Sequence, residues 1–246
     1  MHRVYCPNIN FETPIVTISD PKEIHHLKNV LLLKKEATVQ IFNGRGDEAD
    51  AVIQGISSNK IDIKILSNIH RGQSKNRWII LACAIPKKAK FEAIIEKATE
   101  LGVDEIIPLQ TERTEVILSD AKIKSKIERY HSVAVNAAKQ SKRPSIPTIH
   151  APIKFADFVK TINSECIAVI PCLSEKQKNI VDVLSTTASR KKNIFIIGPE
   201  GDFTAGEITL AQQYGCIPVS LGNNVLKVDT AAISVVALAH FNNFSP

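Results

Sequence analysis

Two short, mostly apolar runs that each break into a glycine-bearing turn constrain this chain more than any other feature. Asn193-Ile194-Phe195-Ile196-Ile197 stops at Gly198-Pro199-Glu200-Gly201-Asp202-Phe203, and Ile217-Pro218-Val219-Ser220-Leu221 stops at Gly222-Asn223-Asn224. Runs of this length bounded by turn residues read as strands buried on both faces. Neighbouring strands that both end in such turns leave bare backbone donors and acceptors along one edge of a sheet. In an open α/β sheet, that edge is where a small ligand binds.

The rest of the chain supplies the sheet. Trp78 to Ile85 is a continuous apolar run. Lys88 to Leu101 carries Phe91, Ile94, Ile95, Ala98 and Leu101 at helical spacing, with Gly102 as the stop. Glu105 to Leu109 and Cys166 to Pro171 read as further strands, and Asp120 to Gln140 as a long helix. Thr204 with Glu207 forms a capping box for a helix ending near Gly215, and Thr230 to Phe241 is a last apolar helix. Alternating strands and helices predict a mostly parallel sheet with helices packed on it.

Residues 1–73 differ in rhythm. Val39 to Phe42 runs into Asn43-Gly44-Arg45-Gly46-Asp47 and resumes at Ala49 to Ile53, a hairpin signal, while Lys60 to Leu66 alternates polar and apolar residues. Asp20-Pro21 opens a short helix carrying His25-His26-Leu27. The polar stretch 70–76 sets the expected boundary, giving a small, mainly β domain at 1–73 and an α/β domain at 74–246.

With 44% hydrophobic residues and no apolar run of the roughly 20 residues that span a bilayer, the chain is expected to fold as an ordinary globular protein away from membranes. The N-terminus lacks a signal-peptide core, so a cytoplasmic location is expected. The five cysteines are scattered without a CxxC pair, which suits buried thiols in a reducing compartment. His25 and His26 are adjacent and so face different ways on a helix; no metal site is expected. The net charge of +6 is carried by residues 1–150, the remainder being balanced. An excess of this size fits either a polyanionic partner or plain solubility.

Several chemistries are excluded by motif. Gly44-Arg45-Gly46 lacks the third glycine and the strand-to-helix setting of a dinucleotide fingerprint, and there is no GxxxxGK[ST], GxSxG or HExxH. What remains is a pocket rimmed by Pro171-Cys172-Leu173, Ile197 to Gly201 and Leu221 to Leu226. Such a rim can hold an adenine by backbone hydrogen bonds without any phosphate cradle, which matches S-adenosylmethionine. The competing reading is that these glycines only make tight turns.

Four ordered segments carry a resemblance. GPEGDF, with LGNNVLKVDTA after it, is joined upstream by His25-His26-Leu27-Lys28-Asn29-Val30-Leu31, by Lys97 to Val103 with Ile107-Pro108, and by Ala138 to Arg143. Together they resemble the SPOUT methyltransferases, specifically the ribosomal RNA family that methylates N3 of a uridine in 16S RNA. The similarity runs through nearly the whole chain. It implies a trefoil-knotted, mostly parallel sheet with helices on both faces, with S-adenosylmethionine bent in the knot. It also implies a PUA-like β-barrel at the N-terminus and a homodimer with active sites at the subunit interface. The implied RNA partner is 16S ribosomal RNA, free or in the 30S subunit. The chain departs from the family pattern at Leu32, where Arg is usual, at Asp202, where a second glycine is usual, and at Lys227 and Asp229, where Arg and Glu are usual.

The cofactor candidates are Leu173, Ile197, Gly198, Pro199, Gly201, Leu221, Gly222, Val225, Leu226 and Thr230. The apolar members could equally be core, and Thr230 could simply cap the last helix. Glu200, Arg143 and Lys227 are the catalytic candidates, with Asp229 beside them. Glu200 could orient a uracil or take its proton, or only accept backbone N–H bonds. Lys227 could stabilise charge on a uracil carbonyl, or pair with Asp229. Arg143 leads the RNA-binding candidates, followed by Arg3, Lys28, Arg71 and Arg113. Two other functions remain open: methylation of another RNA or another atom, and RNA binding without catalysis.

Overall fold

The computed structural model describes residues 1–72, 77–87, 90–116, 118–173, 177–186 and 191–243. The chain divides into two units, one formed by Met1–Ser74 with Val135–Ile146 and the other by Lys75–Ala134 with Pro147–Pro246. The boundary expected between residues 73 and 74 lies outside the described residues.

In the first unit the alternation of buried and exposed residues builds a five-stranded sheet. Its strands are β1 (His2–Tyr5), β2 (Ile15–Ile18), β3 (Thr38–Phe42), β4 (Glu48–Ile56) and β5 (Ile61–His70), in the order β1-β3-β4-β5-β2. β1 runs parallel to β3, and the other pairings are antiparallel. Ala49, Ala51 and Ile53 of β4 point inward with Val4, Val39, Ile41 and Ile61. The expected hairpin joins β3 to β4, and the Asn43 side chain accepts the Arg45 and Asp47 N–H groups at 2.7 and 3.2 Å. Between β2 and β3, α1 (Pro21–His25) starts at Asp20, whose side chain accepts the Lys22 N–H at 2.8 Å, and passes into a π-helical turn at His26–Val30.

The second unit holds an eight-stranded sheet in which every pairing is parallel. In chain order it contains β6 (Trp78–Ala84), α2 (Lys90–Glu100), β7 (Glu105–Gln110), α3 (Asp120–Gln140), β8 (Thr148–Ile149) and β9 (Ile153–Lys154). There follow α4 (Phe155–Val159), β10 (Cys166–Pro171), β11 (Lys178–Asn179), α5 (Ile180–Thr186), β12 (Lys192–Ile197), α6 (Ala205–Gln213), β13 (Ile217–Ser220) and α7 (Val228–Asn243). The sheet order is β11-β13-β10-β12-β6-β7-β8, with β9 also on β7. Its middle strands are long and its outermost strands have two residues each.

Helices cover both faces. Ile80, Ala82, Ala168, Ile170, Ile194 and Ile196 form one core with Phe155, Phe158 and Val159 of α4 and Ala211 of α6. The alternate residues Leu81, Val169 and Phe195 are also fully buried, and on their side α7 packs on β6, β12, α2 and α5. α7 begins at Val228 rather than at Thr230, because the Lys227 carbonyl already accepts the Ala231 N–H at 2.8 Å.

The last turns of α3 belong to the first unit. Lys139 there forms an ion pair with Glu23 of α1. Lys142 takes up a left-handed conformation (φ 58°) while the Arg143 N–H reaches back to the Ala138 carbonyl at 2.9 Å, a Schellman-type stop. The following residues dock on the β3–β4 turn: Gly46 N–H donates to the Pro144 carbonyl and Ile146 N–H to the Gly44 carbonyl.

Candidate cofactor cleft

Parallel strands bring their carboxyl ends to one edge, and β10, β12 and β13 lie side by side. The turns that follow them enclose a cleft of about 420 Å³. The chain after β10 contributes Cys172 and Leu173, the turn after β12 contributes Gly198, Pro199, Glu200 and Asp202, and the loop after β13 contributes Leu221 to Lys227 except Asn223. Pro86 after β6, Lys90 at the start of α2 and Asp229 at the start of α7 close the remaining side. A volume of this order suits a nucleoside-sized ligand.

Two of the glycines are required by this backbone for different reasons. A Cβ on Gly198 would stand 2.9 Å from Cε2 of Phe203, so only glycine lets the strand end lie on that ring. Gly222 has φ 117°, a region L residues rarely adopt.

Leu173, Ile197, Gly198, Pro199, Leu221, Gly222, Val225 and Leu226 line the cleft together with Glu200 and Lys227. Gly201 and Thr230 do not. The Gly201 carbonyl accepts from Arg113 Nη1 at 2.6 Å, which braces the turn from behind. Thr230 lies within the first turn of α7 and is neither its cap nor a wall of the cleft. Leu173 and Val225 are 68% and 76% exposed, so their apolarity is not explained by core packing.

The charges pair differently from the sequence expectation. Asp229 faces Lys90 across 3.4 Å, where Lys227 was expected as its partner. Lys227 is exposed, and Asp229 Oδ1 is buried with no hydrogen-bond partner among the described residues. Glu200 Oε1 accepts the Lys87 N–H at 3.0 Å, which ties the turn after β12 to the chain after β6. Lys87 Nζ pairs with Glu115 at 2.8 Å, and that bond raises its pKa. Below the cleft, complete burial pushes the Cys83 thiol up, and Glu200 adds to the shift.

The other expected RNA contacts belong to the first unit. Arg3 is 7% exposed, and its guanidinium donates to Glu48 at 2.7 Å and to the Lys142 carbonyl at 2.8 Å over the Phe42 ring. Its fork is committed inside the unit, so it presents no face to a phosphate. Arg71 pairs with Glu12 but remains half-exposed, and Lys28 is exposed on the π-helical turn. Arg143 is half-buried, with Nε donating to Ser145 Oγ at 2.9 Å. Leu32 follows the π-helical turn at φ 50° with 70% exposure. Among the described residues, no group of three or more His, Cys, Asp or Glu side chains is placed to hold a metal ion.

Lys90 is one of the cleft residues that sequence reasoning missed. Its signal was positional: a lysine opening the helix that follows a parallel strand lies at the same carboxyl edge as the glycine turns.

Known proteins share this architecture. The RNA methyltransferase domain family matches residues 73–240, and the RNA methyltransferase PUA domain matches residues 18–66. Ribosomal RNA small subunit methyltransferase E of Rickettsia conorii is 30% identical over 96% of this chain and 93% of its own length. The protein of the same name from Mesomycoplasma hyopneumoniae is 32% identical over 85% and 87%. A Legionella pneumophila protein, described as a methyltransferase and solved with its cofactor SAM bound, superimposes with a TM-score of 0.85 at 29% identity, covering 96% of this chain and 95% of that one. The mostly parallel sheet covered on both faces and the PUA unit before it are those the sequence implied. With glycine turns gathered at one sheet edge and a family match spanning both units, the chain belongs to the ribosomal RNA small subunit methyltransferase E family.

Proposed function

We propose that this chain methylates N3 of a uridine in 16S ribosomal RNA, using S-adenosylmethionine held in the cleft at the ends of β10, β12 and β13. The observation that supports the cofactor reading is the cleft itself, which is nucleoside-sized and lined at three strand ends by apolar residues such as Leu173, Ile197, Leu221 and Leu226. The relative solved with SAM supports the same ligand. Ile197, Leu221 and Leu226 would flank the adenine, and the backbone at Leu173, Gly198 and Gly222 would meet its polar edge. Bound there, S-adenosylmethionine supplies an electrophilic methyl group on a sulfonium, which leaves as a neutral thioether.

The chain's part is to position the uracil and offset the loss of its N3 proton. Lys227 is exposed at the cleft and would stabilise negative charge on a uracil carbonyl. Glu200 has one oxygen engaged by the Lys87 N–H, which favours a loop-holding role over that of a base. Arg143, Lys28, Arg71 and Arg113 supply the RNA contacts, and Arg3 supports Lys142 from within. The reading includes a homodimer with active sites at the subunit interface, working on the 30S subunit in the cytoplasm.

The test is transfer of radiolabelled methyl from S-adenosylmethionine to unmodified 30S subunits and, in parallel, to naked 16S RNA. Incorporation at N3 of one uridine, with the 30S subunit preferred, is the expected result. Labelling of another atom, or none of either substrate while the cofactor binds, overturns it.

A further inference from the structure

We propose that Asp202 is a positioning residue for the cofactor: its carboxylate clasps the chain leaving β10 to the turn leaving β12 and so fixes one wall of the cleft. Asp202 stands where the resembled family has glycine, and it occupies the left-handed conformation that glycine adopts freely (φ 58°). Such a conformation strains most residues, and Asp is one of the few that tolerate it by bonding locally. Here Oδ1 accepts the Phe203 N–H at 2.8 Å, and the Asp202 N–H closes the turn on the Pro199 carbonyl at 3.0 Å.

The second oxygen does something a local bond cannot. Asp202 Oδ2 accepts the N–H of Leu173 at 3.0 Å, a residue 29 positions earlier in the chain. Leu173 is 68% exposed, so packing does not hold it. Its neighbour Cys172 donates its N–H to the Val219 carbonyl of β13 at 3.4 Å, and its own carbonyl accepts from the Gln177 side chain. The Asp202 clasp links Leu173 directly to the turn after β12. Both residues line the cleft, so a shift at Leu173 changes the surface that a bound nucleoside meets.

The proposal rests on the cofactor reading above, and its test keeps the two apart. Asp202→Gly removes the clasp while restoring the family's residue at a glycine-compatible φ, so the fold is expected to melt no lower than the parent. Hydrogen exchange at the Leu173 amide is expected to lose at least about tenfold of its protection in Asp202→Gly, as a lost single bond to a charged acceptor implies. Dissociation constants measured by calorimetry are expected to rise about tenfold for S-adenosylmethionine and equally for S-adenosylhomocysteine, with kcat at saturating cofactor within twofold of the parent. Asp202→Asn, which keeps one carbonyl acceptor, is expected to recover part of both affinities.

Unchanged Leu173 exchange, or unchanged affinity for both nucleosides, overturns the proposal. So does a loss confined to the cationic S-adenosylmethionine, which would make Asp202 a charge partner rather than a clasp. A parent protein that binds neither nucleoside counts against the cofactor reading, while Leu173 exchange still decides whether the clasp exists.

Discussion

A methyl group at Gly198 would lie 2.9 Å from Cε2 and 3.1 Å from Cδ2 of Phe203, a ring that is itself 4% exposed and packed at 5.2 Å on Phe155. Gly198→Ala must push that ring or the strand end, at a cost of about 1–3 kcal/mol by the usual penalty for overpacking. A lower urea midpoint together with weaker cofactor binding is the expected pair of changes. At Glu200 the bond from the Lys87 N–H separates two roles. Glu200→Gln keeps an acceptor and is expected to retain most activity, whereas Glu200→Ala is expected to lower it. A collapse of kcat in Glu200→Gln, measured across pH, would return the residue to the role of base. Arg143→Ala is expected to spare cofactor affinity and to reduce methylation about 10- to 100-fold, as loss of a charge-assisted bond worth roughly 1.5–3 kcal/mol predicts. Steady-state kinetics beside calorimetry would read both.

Helix α6 shows what local chemistry makes legible. Thr204 Oγ1 accepts the Glu207 N–H at 3.2 Å and Glu207 Oε2 accepts the Thr204 N–H at 2.9 Å, the reciprocal box the sequence announced. What the sequence did not announce is that Glu207 Oε1 also takes the Glu112 N–H at 2.9 Å, so one 5%-exposed carboxylate serves two segments. Glu207→Ala leaves both donors unpaired and is expected to cost about 2–4 kcal/mol in urea denaturation, with Glu207→Gln milder. The same division holds elsewhere. β10 and α3 begin and end where their patterns do, because a continuous apolar run and a long 3.6-residue period each carry their own boundaries. β8, β9 and β11 have two residues each, too few for any period to show, and α4 has five. In the cleft, the glycine turns were legible because the backbone demands them. The Lys90–Asp229 pair was not, since it joins elements far apart in sequence whose meeting depends on strand order.

Sequence order and unit order differ in the molecule as a whole. Residues Val135–Ile146 complete the N-terminal unit by bringing Lys139 to Glu23, the Lys142 carbonyl to Arg3, and Pro144 and Ile146 to the β3–β4 turn. A fragment of residues 1–74 lacks all of these partners: Glu23 loses its ion pair with Lys139, and Arg3 keeps Glu48 but loses the Lys142 carbonyl. It is expected to melt without a cooperative transition in circular dichroism, unlike the full chain. Alkaline stability follows from the thiols. Burial pushes Cys6 and Cys216 from 9.0 up to about 12, so they stay protonated in the folded chain at pH values where unfolded thiols ionise. The stability they contribute is complete below pH 9 and drains away as pH climbs toward 12. The urea midpoint should fall across that window, and less steeply in Cys216→Ala. The wide parallel sheet has a further consequence for life in a crowded solution. Each of its flanks ends in strands of two residues, Lys178–Asn179 on one side and Thr148–Ile149 and Ile153–Lys154 in tandem on the other. Margins so abbreviated give a passing chain almost no ladder to extend, so the sheet that frames the cleft is also the one least able to template its own aggregation.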